Sequence, residues 1–407
     1  MSNNRFRRQK TAGIIQYSCG ILFVLFTFCY LYFLQGDLLA EAQFVYSQGV
    51  TSYNLLVGAI IITALLQILQ RVVHLLTNLP SRWYAFSYLP SMLGLAVLTD
   101  IDRPALLHFT FGAWVWIIPL VLILFSVAVL IIRHFDPYFP SESTNLKSQA
   151  YPNFIILFAL ILIAGSIPHN PDVFHYELKA ERFILEHDYE AASHVGESSL
   201  RSTSRLTQLR MYALSQQGLL AERLFDYPQL YGSRGLLDIA EHQPYYRFTT
   251  QDICAYLGAR CGTSITSTQR YLRLMLADSL CNTHTIDYYL CSLLLDKRTD
   301  EFLQQFPYYY QLGASHNGDN LPRAYREALL LLSQPQDALR GVALVNGDTL
   351  AVFTDNEFIA QFRDYNDYKS ELTNLAERIN KTHREYGHTY WWYYDFSHLA
   401  QGELKQP

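Results

Sequence analysis

Four acidic side chains are the residues of this chain whose type and placement best suit chemistry. Asp100 and Asp102 stand two residues apart in the stretch LTDIDRP, and Asp37 and Glu41 follow the first apolar stretch. A carboxylate can act as a general base, and neighbouring carboxylates can hold a divalent cation. These four residues are the candidate catalytic set, and their role depends on the elements that position them.

Cysteine and histidine spacing gives no further chemical site. Cys254, Cys261, Cys281 and Cys291 do not follow the C-x2-4-C spacing of a zinc site. They allow three disulfide connectivities, and we expect buried free thiols, with disulfides as the alternative. The stretch HREYGH, residues 383–388, lacks the two histidines four residues apart that a zinc helix needs. The sequence predicts no metal site and no cofactor.

The first part of the chain contains five apolar stretches that approach the length of a membrane span, which is about 20 residues. They cover residues 14–34, 53–69, 83–98, 111–132 and 151–167. None contains a charged residue, and an intramembrane charge would be expected of a transporter. We therefore predict a transmembrane domain over residues 1–167 that serves as an anchor, followed by a separate domain over residues 168–407.

Charge separates the two domains and predicts their orientation. Residues 1–167 carry 9 Lys and Arg against 6 Asp and Glu, whereas the remainder carries 22 against 30. Eight of the nine basic residues lie before the first span or in the second and fourth loops, and only Arg103 lies in the others. Basic loops face the cytoplasm, so we predict a cytoplasmic N-terminus and a periplasmic second domain in a bacterial inner membrane. The acidic second domain has no basic patch for nucleic acid.

The second domain is predicted to be all-α. Stretches such as SRLTQLRMYALSQQG followed by LLAERLFDY indicate helical hairpins that stack into a tetratricopeptide-like α-solenoid, with an unrelated helical bundle as the alternative. ALVNGDTLAVF allows a small β-hairpin or a plain loop. A capping box at Thr354 and Glu357 predicts a single helix of about 30 residues that ends at Gly387.

An aromatic stretch, YWWYY, follows that predicted helix. Consecutive aromatic residues point in several directions, whereas a ligand box usually draws its rings from separate segments. We therefore expect Tyr390, Trp391 and Tyr394 to close the end of the helical array as a packing cap. Trp392 and Tyr393 are the expected exposed pair and the candidate partner-binding residues.

Taken nearly end to end, the chain resembles a family of uncharacterised polytopic bacterial inner-membrane proteins with a tetratricopeptide-like periplasmic region. The resemblance is carried by LAVLTD, SIPHNPDVFHYE, SRLTQLRMYALSQQGLLAERLFDY and GHTYWWYYDF, together with the arrangement of the spans. It implies the architecture and brings no known activity.

The sequence favours a non-enzymatic protein, anchored in the lipid bilayer, whose helical array binds protein partners in the cell envelope. The alternative is a membrane transferase, similar to glycosyltransferases that use lipid-linked donors, acting through Asp37, Glu41, Asp100 and Asp102. That alternative requires the four carboxylates to meet at one open cavity. The oligomeric state is left open by the sequence.

Overall fold

The computed structural model describes residues 2–101, 112–135, 146–167, 172–197, 199, 201–239, 247–258, 267–277, 282–313, 315–345, 348–371 and 374–404. The chain divides into two compact units, Met1–Leu178 and Lys179–Pro407. We call the first the membrane unit and the second the helical unit. The described chain is mostly helical, as the sequence predicts.

The membrane unit is built from long apolar helices. Its helices are α1 (Ser2–Cys29), α2 (Gly36–Tyr46), α3 (Leu55–Thr77), α4 (Leu89–Thr99), α5 (Trp114–Phe135) and α6 (Leu146–Ser166). A short π-helix, Tyr30–Leu34, extends α1, and a 3-10 helix, Ser81–Tyr88, precedes α4. Four stretches of the described chain are long and apolar enough to cross a membrane: Ala12–Leu34, Leu55–Thr77, Trp114–Phe135 and Ser148–Ser166.

The expectation of five membrane-length helices is wrong at the third predicted span. Residues 83–98 belong to two short elements, the 3-10 helix and the 11-residue α4. Trp83 has a non-helical backbone (φ −115°, ψ 19°), which interrupts the first element. Pro90 lies in the first turn of α4, where its missing N–H costs nothing, so a new helix starts there. We call Ser81–Thr99 the broken segment.

Side chains of neighbouring helices enclose the broken segment. Asn153 of α6 is fully buried; its Oδ1 accepts from the Ala85 N–H at 2.7 Å, and its Nδ2 donates to the Ser81 carbonyl at 2.9 Å. In α3, Gln70 is also fully buried, and its Nε2 donates to Tyr84 Oη at 3.0 Å. Irregular backbone within a bilayer needs such internal partners, because lipid supplies none.

The broken segment runs antiparallel to α3. Gln70, near the end of α3, contacts Tyr84 at the start of the segment, whereas the earlier Leu66 accepts from Ser91 Oγ through its carbonyl at 2.8 Å. At the far end of the segment, Asp100 Oδ2 accepts from Trp114 Nε1 at 2.9 Å, where α5 begins. The segment therefore leads from the end of α3 to the start of α5.

The remaining helices lie after the last apolar helix. They are α7 (Asp172–Leu185), α8 (Tyr189–His194), α9 (Ser204–Gln216), α10 (Thr250–Tyr256), α11 (Thr268–Ala277), α12 (Thr283–Leu295), α13 (Thr299–Tyr309), α14 (Arg323–Leu331), α15 (Pro335–Ala338), α16 (Asn356–Glu371), α17 (Leu375–Tyr386) and α18 (Tyr390–Leu404). Strands β1 (Val342–Val345) and β2 (Asp348–Val352) form an antiparallel hairpin, as one of the two sequence alternatives predicts. The predicted turn residues Asn346 and Gly347 lie outside the described residues.

Helix pairs are present in the helical unit, yet they do not establish a tetratricopeptide-like array. Neighbours along the chain pack together, for example α8 with α9 and α12 with α13. Residues 219–227, LLAERLFDY, were expected to form the second helix of a hairpin and instead form a series of turns. We call residues 219–230 the turn segment.

The single 30-residue helix predicted before the aromatic stretch is two helices, α16 and α17. Asn374 starts α17, since its side chain accepts from the N–H groups of Ala376 and Glu377 at 3.0 and 3.4 Å. The start of α16 also differs from the prediction, because Asp355 rather than Thr354 accepts from the first free N–H groups. A local polar cap at each start explains why one apolar stripe is divided between two helices.

Candidate functional site

Three of the four candidate catalytic acids lie among the described residues. Glu41 is fully buried in α2, and Asp37 is half-buried in the first turn of the same helix. Asp100 is engaged by the Trp114 indole, and Asp102 lies outside the described residues. No group of three or more His, Cys, Asp or Glu in the described chain is arranged to hold a metal ion. The geometry gives the transferase alternative no support.

One described cysteine of the second domain is a free thiol and another is in a disulfide, so each of the two alternatives applies to one residue. Cys291 is a buried free thiol, as expected, whereas Cys254 is disulfide-bonded, so the expectation of a free thiol is wrong there. Cys261 and Cys281 lie outside the described residues.

The aromatic helix α18 is anchored in the interior of the helical unit by Trp391. This side chain is 1% exposed, and its Nε1 donates to the Glu327 carbonyl at 2.9 Å. Its ring packs against those of Phe358, Phe362 and Tyr365 of α16, with centroids 5.0 to 5.8 Å apart. The prediction that Trp391 is a packing residue is confirmed.

Glu327 of α14 connects the start of α18 to the core. The residue is 2% exposed; its Oε2 accepts from the Tyr390 N–H at 2.6 Å and its Oε1 from Arg323 Nε at 2.7 Å. Tyr390 opens α18, where free N–H groups and the helix dipole favour a negative charge. Burial nevertheless raises the pKa of Glu327 to about 7, against the lowering effect of Arg323 and the Tyr390 N–H.

The expectation that Trp392 and Tyr393 are exposed is wrong. They are 7% and 5% exposed, because α18 is packed on several sides. Tyr393 Oη donates to the Leu295 carbonyl at 2.7 Å, and its ring lies 5.1 Å from that of Phe225. The Trp392 ring lies 4.4 Å from the His383 ring of α17.

These two side chains line a cavity of about 480 Å³ in the helical unit. Its walls are the turn segment, α17 and the beginning of α18. Four aromatic residues contribute to the lining, namely Phe225, Tyr227, Trp392 and Tyr393, together with Leu230 and Ile379. Polar lining residues include Glu197, Asp226, Gln229, Asn380, His383 and His388. The volume and the mixture of aromatic and polar side chains are typical of a ligand-binding pocket.

The walls of this cavity differ in how firmly they are held. Whereas α18 is anchored by Glu327 and Trp391, α17 is largely exposed; Thr382 is its fully buried side chain, and Leu375 is 51% exposed. The two helices meet at Gly387, where an added Cβ would lie 2.4 Å from the His383 carbonyl oxygen. This close approach to the last turn of α17 leaves room only for glycine.

The pKa values of both histidines that line the cavity are lowered by partial desolvation. Burial lowers the pKa of His383 below its ordinary value. Burial also lowers the pKa of His388, and Arg323 adds to this effect. Neutral imidazoles can donate or accept a hydrogen bond without adding charge to the cavity.

The two carboxylates that line the cavity already have partners. Glu197 lies 2.9 Å from His194 Nδ1, and that hydrogen bond is the main cause of its lowered pKa. Asp226 accepts from Arg223 Nε at 2.8 Å. Asp226 is thus ion-paired with Arg223, and Glu197 is hydrogen-bonded to His194.

Sequence reasoning singled out Trp392 and Tyr393 as an exposed partner-binding pair and did not single out the other cavity walls. Phe225 and Tyr227 lie in a stretch whose pattern indicated a helix, and His383 and His388 were considered as metal ligands. No local pattern brings these segments together, because residues 225 and 383 are distant in sequence.

A protein family of unknown function, DUF6057, matches residues 260–397. The match includes α17 and the beginning of α18, and thus one side of the cavity, while the apolar helices lie outside it. The chain is similar to that family over this stretch, which supplies no activity. No curated protein and no solved structure matches the chain.

Replacing Trp391 with alanine should lower the free energy of unfolding by about 3–5 kcal/mol, the range for truncating a buried large aromatic side chain. The matched control is Tyr308→Ala, since Tyr308 is 75% exposed and should change stability by less than about 0.5 kcal/mol. Thermal and denaturant unfolding of the full-length protein in detergent measures both. Wild-type unfolding of the Trp391 variant would contradict its role as an anchor.

Replacing Glu327 with glutamine should change how stability depends on pH. The folded-state pKa of Glu327 is raised from 4.5 to about 7, so its stabilising contribution is present at pH 4.5 and below and is lost as pH rises through 7. Wild type should lose up to about 3 kcal/mol relative to Glu327→Gln between pH 5 and 8.

The measurement is the difference in unfolding free energy between the two proteins across this pH range, which removes the histidine contributions that they share. Glu371→Gln, a substitution at an exposed carboxylate, is the control and should give a flat difference. A flat difference for Glu327→Gln would contradict the raised pKa.

Proposed function

We propose that this protein is a membrane-anchored binding protein of the bacterial inner membrane. The apolar helices hold it in the lipid bilayer, and the helical unit recognises a molecule on the periplasmic side. The observation that carries the proposal is the 480 Å³ cavity with aromatic walls between the turn segment, α17 and α18.

The state of the polar groups favours recognition over catalysis at this cavity. Its carboxylates are hydrogen-bonded to His194 and Arg223, and the pKa values of its histidines are lowered. Its aromatic side chains offer large contact surfaces at low cost in conformational entropy, which is the usual basis of binding.

A protein partner in the cell envelope is the second candidate. Tyr308, Leu375 and Leu274 of the helical unit are 75%, 51% and 41% exposed. Exposed large apolar side chains are suited to a protein interface, and aromatic residues such as Tyr308 are enriched among those that supply most of the binding energy. Nucleic acid is not proposed, because the second part of the chain is acidic.

The proposed orientation has a cytoplasmic N-terminus and a periplasmic helical unit. Four crossings alone would return the chain to its starting side, so this orientation needs a fifth passage. The broken segment supports one, since it runs antiparallel to α3 and ends where α5 begins. Laid end to end, eight residues of 3-10 helix and 11 of α-helix would extend at most about 32 Å, close to the roughly 30 Å hydrocarbon thickness.

Binding is tested by extracting the molecules that co-purify with the protein from native membranes in lipid nanodiscs. Wild type should carry a compound whose amount falls at least about tenfold in Ile379→Trp, because the larger side chain fills the cavity. Leu375→Trp makes a similar change one turn earlier on α17, away from the cavity, and should retain the compound. Identical extracts from wild type and Ile379→Trp would refute binding at this cavity.

Orientation is tested with reporters fused after Pro407 and after Thr77. A reporter active only in the periplasm should be active at Pro407 and inactive at Thr77, because the broken segment and the two following helices make three passages between these points. Cytoplasmic activity at both positions would show that the broken segment does not cross.

A further inference from the structure

The charged residues that line the cavity restrict the class of ligand that can bind there. No lysine or arginine is among the described residues that line it, so a phosphate or carboxylate would have no cationic partner there. The carboxylates Glu197 and Asp226 are engaged by His194 and Arg223, so an organic cation would have to compete with these partners. A buried charge without a partner costs several kcal/mol, which disfavours both classes of ion.

Aromatic rings in the cavity are also engaged by cations of the protein itself. Arg210 lies 4.6 Å from the centroid of the Tyr227 ring, and Lys297 lies 5.6 Å from that of Tyr393. A ligand cation would meet rings that already interact with positive charge, which reduces the gain from a cation–π contact.

Two buried polar atoms on lining side chains have no hydrogen-bond partner among the described residues. They are Trp392 Nε1, a donor, and Gln229 Oε1, an acceptor. The other end of the Gln229 amide is held, since its Nε2 donates to the Leu224 carbonyl at 2.6 Å. A buried polar group left unpaired costs about 1–3 kcal/mol, so an uncharged group that supplies both an acceptor and a donor is favoured. A hydroxyl group does so with one oxygen atom.

From this inventory we infer that the cavity binds a neutral, largely apolar small molecule that carries a ring and a hydroxyl group. Phe225, Tyr227, Trp392, Tyr393, Leu230 and Ile379 provide the apolar surface, and the unpaired Trp392 Nε1 and Gln229 Oε1 belong to lining side chains. The cavity volume lies within the range of about 300–1,000 Å³ for small-molecule sites. The inference rests on the proposed function and specifies the ligand class of the same site.

Three probe compounds that share a naphthalene ring and differ in charge test whether the cavity prefers a neutral ligand. Naphthalene-2-methanol is neutral, naphthalene-2-methylamine is cationic and 2-naphthoate is anionic at pH 7. Each is titrated into the full-length protein in nanodiscs, and binding is followed by ligand-observed NMR, with empty nanodiscs as the background. Wild type, Ile379→Trp and Leu375→Trp are compared, so partition into lipid cancels between variants.

The neutral alcohol should bind wild type and Leu375→Trp saturably and should bind Ile379→Trp at least about tenfold more weakly. The amine and the naphthoate should each bind wild type at least about tenfold more weakly than the alcohol. Tighter binding of either ion, equal binding to Ile379→Trp, or no saturable binding of the alcohol would overturn the assigned ligand class. The proposed function fails separately, because it depends on the co-purified compound and not on these probes.

Discussion

The helical unit depends on one buried carboxylate, that of Glu327. Its two oxygens connect Arg323 on its own helix with the first N–H of α18, and its backbone carbonyl receives the Trp391 indole. Three hydrogen bonds from one residue thus fix the position and direction of a helix that carries four consecutive buried aromatic side chains. Breaking such a buried set is costly because each group left behind lacks a partner. The cavity exists because this helix is held in place.

In the membrane unit, neutral buried side chains likewise hold a neighbouring element in place. Asn153 and Gln70 satisfy the irregular backbone and side chains of the broken segment, where an unbroken helix would have satisfied itself. Contacts from α3 and α6 thus satisfy polar groups that the interruption of the helix leaves free. In both units, a buried polar side chain on one element determines where another element begins.

The sequence predicts features that depend on neighbouring residues well. It predicts contacts between distant segments much less well. Long apolar helices, the β-hairpin and the burial of Trp391 follow from composition, period and ring size. The third predicted span is divided at Pro90, and the long predicted helix is divided at Asn374. In both places the apolar periodicity continues while a local helix start interrupts the helix, so the periodicity alone does not predict the break. The cavity required the turn segment to meet α17 across more than one hundred residues, and no spacing rule encodes such a contact.

The exposed position of α17 gives the cavity walls unequal local stability. A helix with little buried surface opens at a lower free energy than one embedded in the core, and it does so without unfolding the rest of the domain. Local opening of α17 would therefore widen the cavity without disturbing α18. A ligand that contacts α17 would shift that equilibrium toward the closed form. Its binding would then slow amide-hydrogen exchange in α17, at the surface of the protein.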